Sequence, residues 1–517
     1  MASQNLSTAA EQSEPRNVRE LLEQRAQATP DKVFLFSEVD GRRYSYAEFD
    51  AAVNRTARLL AAHGVKKGNV VSLLLPNSAE YIIAYFACFK LGALAGPVNS
   101  LLKPQEMAYV IAHSEAAALL VQTEFLPKIE EVKSDLHSLR SIIEFDDERQ
   151  ATVEFAADAL PPLGLEKNDE AIIIYTSGTT GKPKGCLLTH GNLLANARQI
   201  TSWLKFTERD RLLIAMPLFH VNAVMVATLA PLYAHGSTVV TPKFSVKRFW
   251  QIISDYEITS FGSVATMLSL LVNTYPEGVP PGLKTDQLRF ALCGSAPVPA
   301  EVLKRFEETF NCLVIEGYGM SESTCRSTFN PPDERRRPGS CGLPIGNEMK
   351  IVDENDAEVP VGQLGEIVLR GENILKGYFK NPEATAEAFR GGWFHTGDIG
   401  YKDADGFYYI VDRKSDMIIR AGENIYPREI DEVLYSHEAV AAAATIGVPD
   451  SLYGEEVAAF VVLKEGAQAT EEEIIAFCSE RLADYKCPKS VRIVTDIPKG
   501  PTGKLLKREL ARQYAQG

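Results

Sequence analysis

The chain is poor in cysteine, with eight in 517 residues, and no two of them form a C-x-x-C pair or fall at zinc-ligand spacing. That excludes a disulfide scaffold and the common structural zinc modules. Cys88, Cys186, Cys293, Cys312, Cys325, Cys341, Cys478 and Cys487 therefore read as reduced, mostly buried thiols of a cytoplasmic protein. A basic surplus is also missing. Lys and Arg number 54 against 68 Asp and Glu, a net charge of −14. Nucleic acid and anionic membrane both want a basic face, so neither is expected as the main partner. A small anionic ligand stays open, because a local basic loop overrules the global sign. The start, MASQNLSTAAEQSEPRN, lacks the apolar run of a secretory signal. No repeat of solenoid length runs through the chain. From Leu212 to Pro242 there is no Lys, Arg, Asp or Glu. This stretch is long enough to span a bilayer, but Pro217, His220, Asn222, Pro231, His235 and Gly236 interrupt it. A buried helix and strand are expected there, and no integral membrane segment.

What is present is ordinary globular material, 45% apolar and 24% charged, in a chain too long for one core. VVSLLLP (70–76), ALLVQ (118–122) and SIIEF (141–145) read as buried strands. SAEYIIAYFACFKLGA (78–93) reads as a helix with a serine cap. Strands alternating with helices imply a largely parallel sheet covered on both faces. After about residue 340 the texture changes to alternating runs between Gly, Asp and Asn, which suggests hairpins. From Glu429 helix and strand alternate again over a span sufficient for a small domain. The expected fold class is α/β: a large multi-subdomain N-terminal region with mixed α/β sheets, and a small α+β C-terminal domain. Residues 1–17 are expected as a flexible tail, 18–412 as the N-terminal domain and 413–517 as the C-terminal one.

The most informative stretch is YTSGTTGKPKG, Tyr175 to Gly185, which follows the apolar run AIII. Glycines let backbone N–H groups converge, hydroxyls add donors and lysines add charge, so a strand entering such a loop suits a phosphate. It is not a Walker loop. Gly178 and Gly181 have two residues between them, and Lys182 precedes Pro183 rather than Ser or Thr. A plain surface turn uses the same residue types.

This stretch resembles the phosphate loop of the adenylate-forming enzymes, and in particular their acyl-CoA synthetase branch. Further motifs of that family follow in order: PLFH (217–220), EGYGMSE (316–322), FHTGD (394–398), DRK (412–414), GEN (422–424) and GPTGK (500–504). The resemblance implies activation of a carboxylic acid by ATP and Mg²⁺, then transfer to CoA. A carboxylate is already a nucleophile, so the obstacle is bringing one anion onto another. Catalysis is then positioning plus charge neutralisation.

By the same resemblance Thr176, Ser177, Gly178, Thr179, Thr180 and Lys184 hold the phosphates. Tyr318, between Gly317 and Gly319, stacks on adenine. Ser321 stands where the family more often has threonine, and Glu322 is the oxygen ligand for Mg²⁺. Asp398 accepts the ribose hydroxyls, with Arg413 beside it. Lys504 bridges the substrate carboxylate and the α-phosphate, a task that suits a compact ammonium. By residue type alone these would be a packed tyrosine, solvated carboxylates and a surface lysine. In the family the C-terminal domain rotates between the half-reactions. The hinge then falls on Ser415, where Asp or Lys is commoner, and Gly422 and Glu423 belong to the loop facing CoA. Ala421 stands where a glycine is frequent.

The acyl pocket implied by the resemblance is lined by His220, Val221, Asn222, Val264, Gly294, Ser295 and Arg326. His220 gates it, or is simply a packed core histidine. Facing the pocket, Arg326 would favour an acid with a second carboxylate, a hydroxyl or another acceptor. Facing solvent or an internal acid, it would carry no such meaning. The expected partners are a small carboxylic acid, ATP and CoA, with the chain a monomer or homodimer. The alternatives are a stand-alone adenylation enzyme loading a carrier protein, a luciferase-like oxidase, and a non-catalytic AMP-binding sensor.

Overall fold

The computed structural model describes residues 14–176, 183–294, 300–421, 423–450, 452–499 and 505–516, with the side chains of 508 and 516 excepted. Among the expected site residues, Ser177, Gly178, Thr179, Thr180, Ser295, Gly422 and Lys504 lie outside these ranges.

Among the described residues two seven-stranded sheets dominate. The first runs, in spatial order, Leu313–Glu316, Phe290–Cys293, Ser260–Ser263, Arg211–Ile214, Ser237–Val240, Val33–Ser37 and Arg43–Ser45. All its pairings are parallel except the last. Parallel strands buried on both faces need near-continuous apolar runs, and FALC and LVIE fit that requirement. The second sheet is parallel through Leu94–Pro97, Val70–Leu74, Ala118–Val121 and Ser141–Glu144, and turns antiparallel at Glu170–Thr176 and Lys184–Thr189. Helices cover both sheets. Ala79–Leu91 is typical: Ser78 accepts from the Tyr81 N–H at its start, and Gly92 ends it in the left-handed region at φ 63°. No described helix is long and apolar enough to cross a membrane. Leu212 to Pro242 holds two buried strands joined by short helical turns, as its composition suggested.

A smaller antiparallel sheet, built on Glu348–Val352, Gly365–Arg370 and Trp393–Lys402, ends in the strand Tyr408–Arg413. Beyond it, Ile418–Arg420 and Glu423–Ile425 form a tight hairpin. Val440–Asp450 and Gly454–Leu463 form a long one. From Ile418 onward the apolar side chains pack into clusters of their own. At the other end the described residues begin within the span expected as a tail. Glu14 pairs with Arg198 at 2.7 Å, and buried Asn17 caps the first helix by accepting from the Glu20 N–H.

Candidate active site

The parallel strands of the first sheet all point their carboxyl ends the same way, and that edge is where open α/β sheets bind ligands. Gly294, Gly317 and Tyr318 follow its strands there. Leu313–Glu316 runs straight into Gly317, Tyr318 and Gly319. Backbone approach is close at this turn: a Cβ on Gly319 would overlap the carbonyl of Cys325, so the loop closes only with glycine. Tyr318 is 8% exposed, and its hydroxyl donates to Asp398 Oδ2 at 2.6 Å. The other oxygen of Asp398 lies 3.1 Å from Arg413 Nε. Antiparallel pairing of Asp398 with Arg413 sets that contact. Tyrosine, carboxylate and guanidinium, far apart in sequence, thus form one polar edge. Burial and the carboxylate beside it hold the Tyr318 phenol well above its usual range, so it stays a donor.

Glu322 sits on a short 3₁₀ turn, Ser321–Ser323, that directs its carboxylate toward the second sheet. Its Oε1 accepts from the Tyr378 hydroxyl at 3.2 Å, and its backbone carbonyl accepts from the Leu375 N–H at 2.8 Å. Lys184 Nζ lies 5.1 Å from the centre of the same Tyr378 ring. Thr176 and Lys184 are cross-strand partners. The residues between them therefore bridge two antiparallel strands. Glu322, Tyr378, Lys184 and Thr176 together mark the loop's base. Tyr378 escaped the sequence reading because a lone tyrosine in KGYFK carries no motif.

His220 follows the strand Arg211–Ile214 and packs on Phe219, with ring centres 4.6 Å apart. Its Nε2 is buried and has no hydrogen-bond partner, and burial lowers its pKa to about 4, so the ring is neutral near pH 7. Val221 and Asn222 begin the next helical turn, and Asn222 Oδ1 lies against Gly262 on the neighbouring strand. Val264 is buried just past the end of that same strand. Arg326 is 2% exposed, with its guanidinium packed over Gly294 and donating from Nη1 to the Gly317 carbonyl at 3.1 Å. It does not face solvent. Asn196 and Asn373, also absent from the sequence reading, clamp its backbone. Asn196 Oδ1 accepts the Arg326 N–H, and both side-chain amides donate to the Arg326 carbonyl.

Ser415 lies exposed in the turn after Tyr408–Arg413, its hydroxyl donating to Asp416 at 3.0 Å. Glu423 opens the strand Glu423–Ile425, and Ala421 precedes it with φ 53°. The antiparallel bridge of Lys499 with Leu505 brackets the GPTGK motif that carries Lys504.

Residues 22–379 match the family model described as AMP-binding enzyme, and 429–504 match the one described as AMP-binding enzyme C-terminal domain. The chain belongs to the AMP-binding enzyme family. It is 37% identical to the sulfoacetate–CoA ligase of Cupriavidus necator, over 95% of this chain and 96% of that one. It is 36% identical to the oxalate–CoA ligase of Arabidopsis thaliana, over 96% and 98%. The ATP-bound structure of MatB from Rhodopseudomonas palustris superposes with a TM-score of 0.89 at 30% identity, covering 96% of this chain and 99% of that one. Curated relatives of this AMP-binding enzyme are CoA ligases, which makes it an enzyme of the acid–thiol ligase class. The α/β fold class expected from sequence is the one observed.

Proposed function

We propose that this AMP-binding enzyme is an ATP- and Mg²⁺-dependent carboxylic acid–CoA ligase working in two half-reactions at one site. In the first, a carboxylate oxygen of the acid attacks the α-phosphorus of ATP. The bond to the bridging oxygen breaks, and pyrophosphate leaves with the electron pair. In the second, the CoA sulfur attacks the acyl carbon, AMP leaves, and the thiol proton passes to solvent. The observation that carries this reading is the Tyr318–Asp398–Arg413 edge at the carboxyl ends of the parallel strands, beside Glu322 and the base of the Thr176–Lys184 loop.

Tyr318 offers a face to adenine, and Asp398, held beside it, accepts ribose hydroxyls. Ser177, Gly178, Thr179 and Thr180 hold phosphate. Glu322 fits a magnesium ion, because a single half-buried carboxylate next to the phosphate loop suits a cation carried mainly by the nucleotide. Such an ion supplies charge neutralisation at the phosphates. Lys504 contributes a second positive charge in the adenylation step. Residues 413–517 act as a lid that turns about Ser415, taking Lys504 out and bringing Gly422 and Glu423 toward CoA. The exposed turn at Ser415 supports this hinge. Reduced buried thiols support a cytoplasmic setting.

The test is AMP release by the purified protein with ATP and Mg²⁺ across a panel of acids, each with and without CoA. AMP release that requires both an acid and CoA is the expected result. Turnover with no acid of any class would overturn the ligase reading.

A further inference from the structure

We infer that Arg326 selects a short acid bearing a second anionic group, a carboxylate or a sulfonate, as the substrate of this enzyme. The inference rests on the ligase reading above and names its substrate class. A guanidinium is always charged, and burying one without an anion is costly. Arg326 is almost completely buried, its Nε has no hydrogen-bond partner, and no carboxylate among the described residues pairs with it. The nearby thiols do not compensate. Burial pushes Cys293 up to about 12 and Cys325 up to about 11, so both stay neutral near pH 7. Glu316, on the adjoining strand, accepts instead from the Gly339 N–H, and the cations that act on it are Arg336 and Arg428. Among the described residues the Arg326 guanidinium has the Phe329 ring, 5.2 Å from its centre, but no carboxylate as a counter-charge.

Its position says what would compensate it. The guanidinium lies over the carboxyl ends of two neighbouring parallel strands, where Gly294 leaves room for it: a Cβ there would overlap it. It donates to the carbonyl of Gly317, the residue before Tyr318. Asn222 lies against Gly262 on the next parallel strand. The charge thus sits past the ends of two parallel strands, on the carbonyl one residue before Tyr318. A second anionic group a few bonds from the reacting carboxylate would end against it and supply the missing counter-charge. The asparagine clamp on the Arg326 backbone holds the side chain in that direction.

The experiment compares kcat/KM for CoA-dependent AMP release with sulfoacetate, malonate and oxalate against propionate, butyrate, octanoate and benzoate, for the wild type, Arg326→Lys and Arg326→Met. The wild type should prefer a short acid with two anionic groups by roughly 100-fold over a single-charge acid of equal length. The sulfoacetate and malonate arms tell which anion is read. Arg326→Met should collapse or invert that ratio, chiefly through KM, and Arg326→Lys should keep part of it. A variant that merely lost structure would lower all acids together and leave the ratio intact, which contradicts a selecting role. If Arg326→Met is insoluble, the wild-type ratio and Arg326→Lys decide. Preference of the wild type for octanoate, benzoate or butyrate overturns the inference while leaving the ligase reading in place. Turnover of no acid overturns both.

Discussion

Tyr318 and Asp398 are joined by a 2.6 Å hydrogen bond across a separation of 80 residues. The bond fixes both the ring that would meet adenine and the carboxylate that would meet ribose. One phenol hydrogen therefore orients two nucleotide contacts. Tyr318→Phe keeps the ring and removes the hydrogen bond. Its ATP affinity should fall about tenfold, about 1.4 kcal/mol, which is typical for losing a bond to a charged group. Calorimetric titration with ATP checks this. Unchanged affinity would mean that this hydrogen bond does not serve nucleotide binding.

Ala421 occupies the left-handed region at φ 53°, directly after the strand Ile418–Arg420. A Cβ there costs roughly 1–2 kcal/mol, partly offset because glycine loses more chain entropy on folding. Ala421→Gly should be neutral or up to about 1 kcal/mol more stable, and Ala421→Val should be destabilised by more than about 1 kcal/mol. Urea unfolding midpoints give the values. A neutral valine variant would contradict the strain argument.

Glu316 is 6% exposed, and burial raises its pKa to about 7 from the ordinary 4.5. Between those values the folded state holds a proton that the unfolded chain releases. Stability from this group is therefore fully present below about pH 4.5 and is lost as pH rises through 7. Glu316→Gln removes the ionisation and keeps an oxygen acceptor for the Gly339 N–H. Relative to wild type it should gain about 1–3 kcal/mol between pH 5 and pH 8. A difference that does not change with pH would show that Glu316 ionises without penalty.

Much of this was legible in the sequence because it was written in local pattern. Apolar runs marked strands of the second large sheet, and Ser78 marked the start of a helix. What stayed hidden depended on partners far along the chain. Tyr378, Asn196 and Asn373 matter only through the groups they touch, and an isolated Tyr or Asn announces nothing. The phosphate loop read as a strand entering a glycine loop, but its second strand, Lys184–Thr189, pairs back antiparallel. Two flanking lysines and a proline disguised that return. For Arg326 the sequence left open solvent, an internal acid or the pocket. Burial removes solvent from these, and no carboxylate among the described residues pairs with it.

The central claim is that two half-reactions share one site and that Lys504 serves only the first. Its most direct test measures Lys504→Ala in each half separately: pyrophosphate release from acid and ATP, and thioester formation from supplied acyl adenylate and CoA. Losing a charge that neutralises the adenylation transition state should cost about 3–4 kcal/mol, a drop of several hundredfold in the first rate. The second should stay near wild type. Equal loss of both would contradict the account.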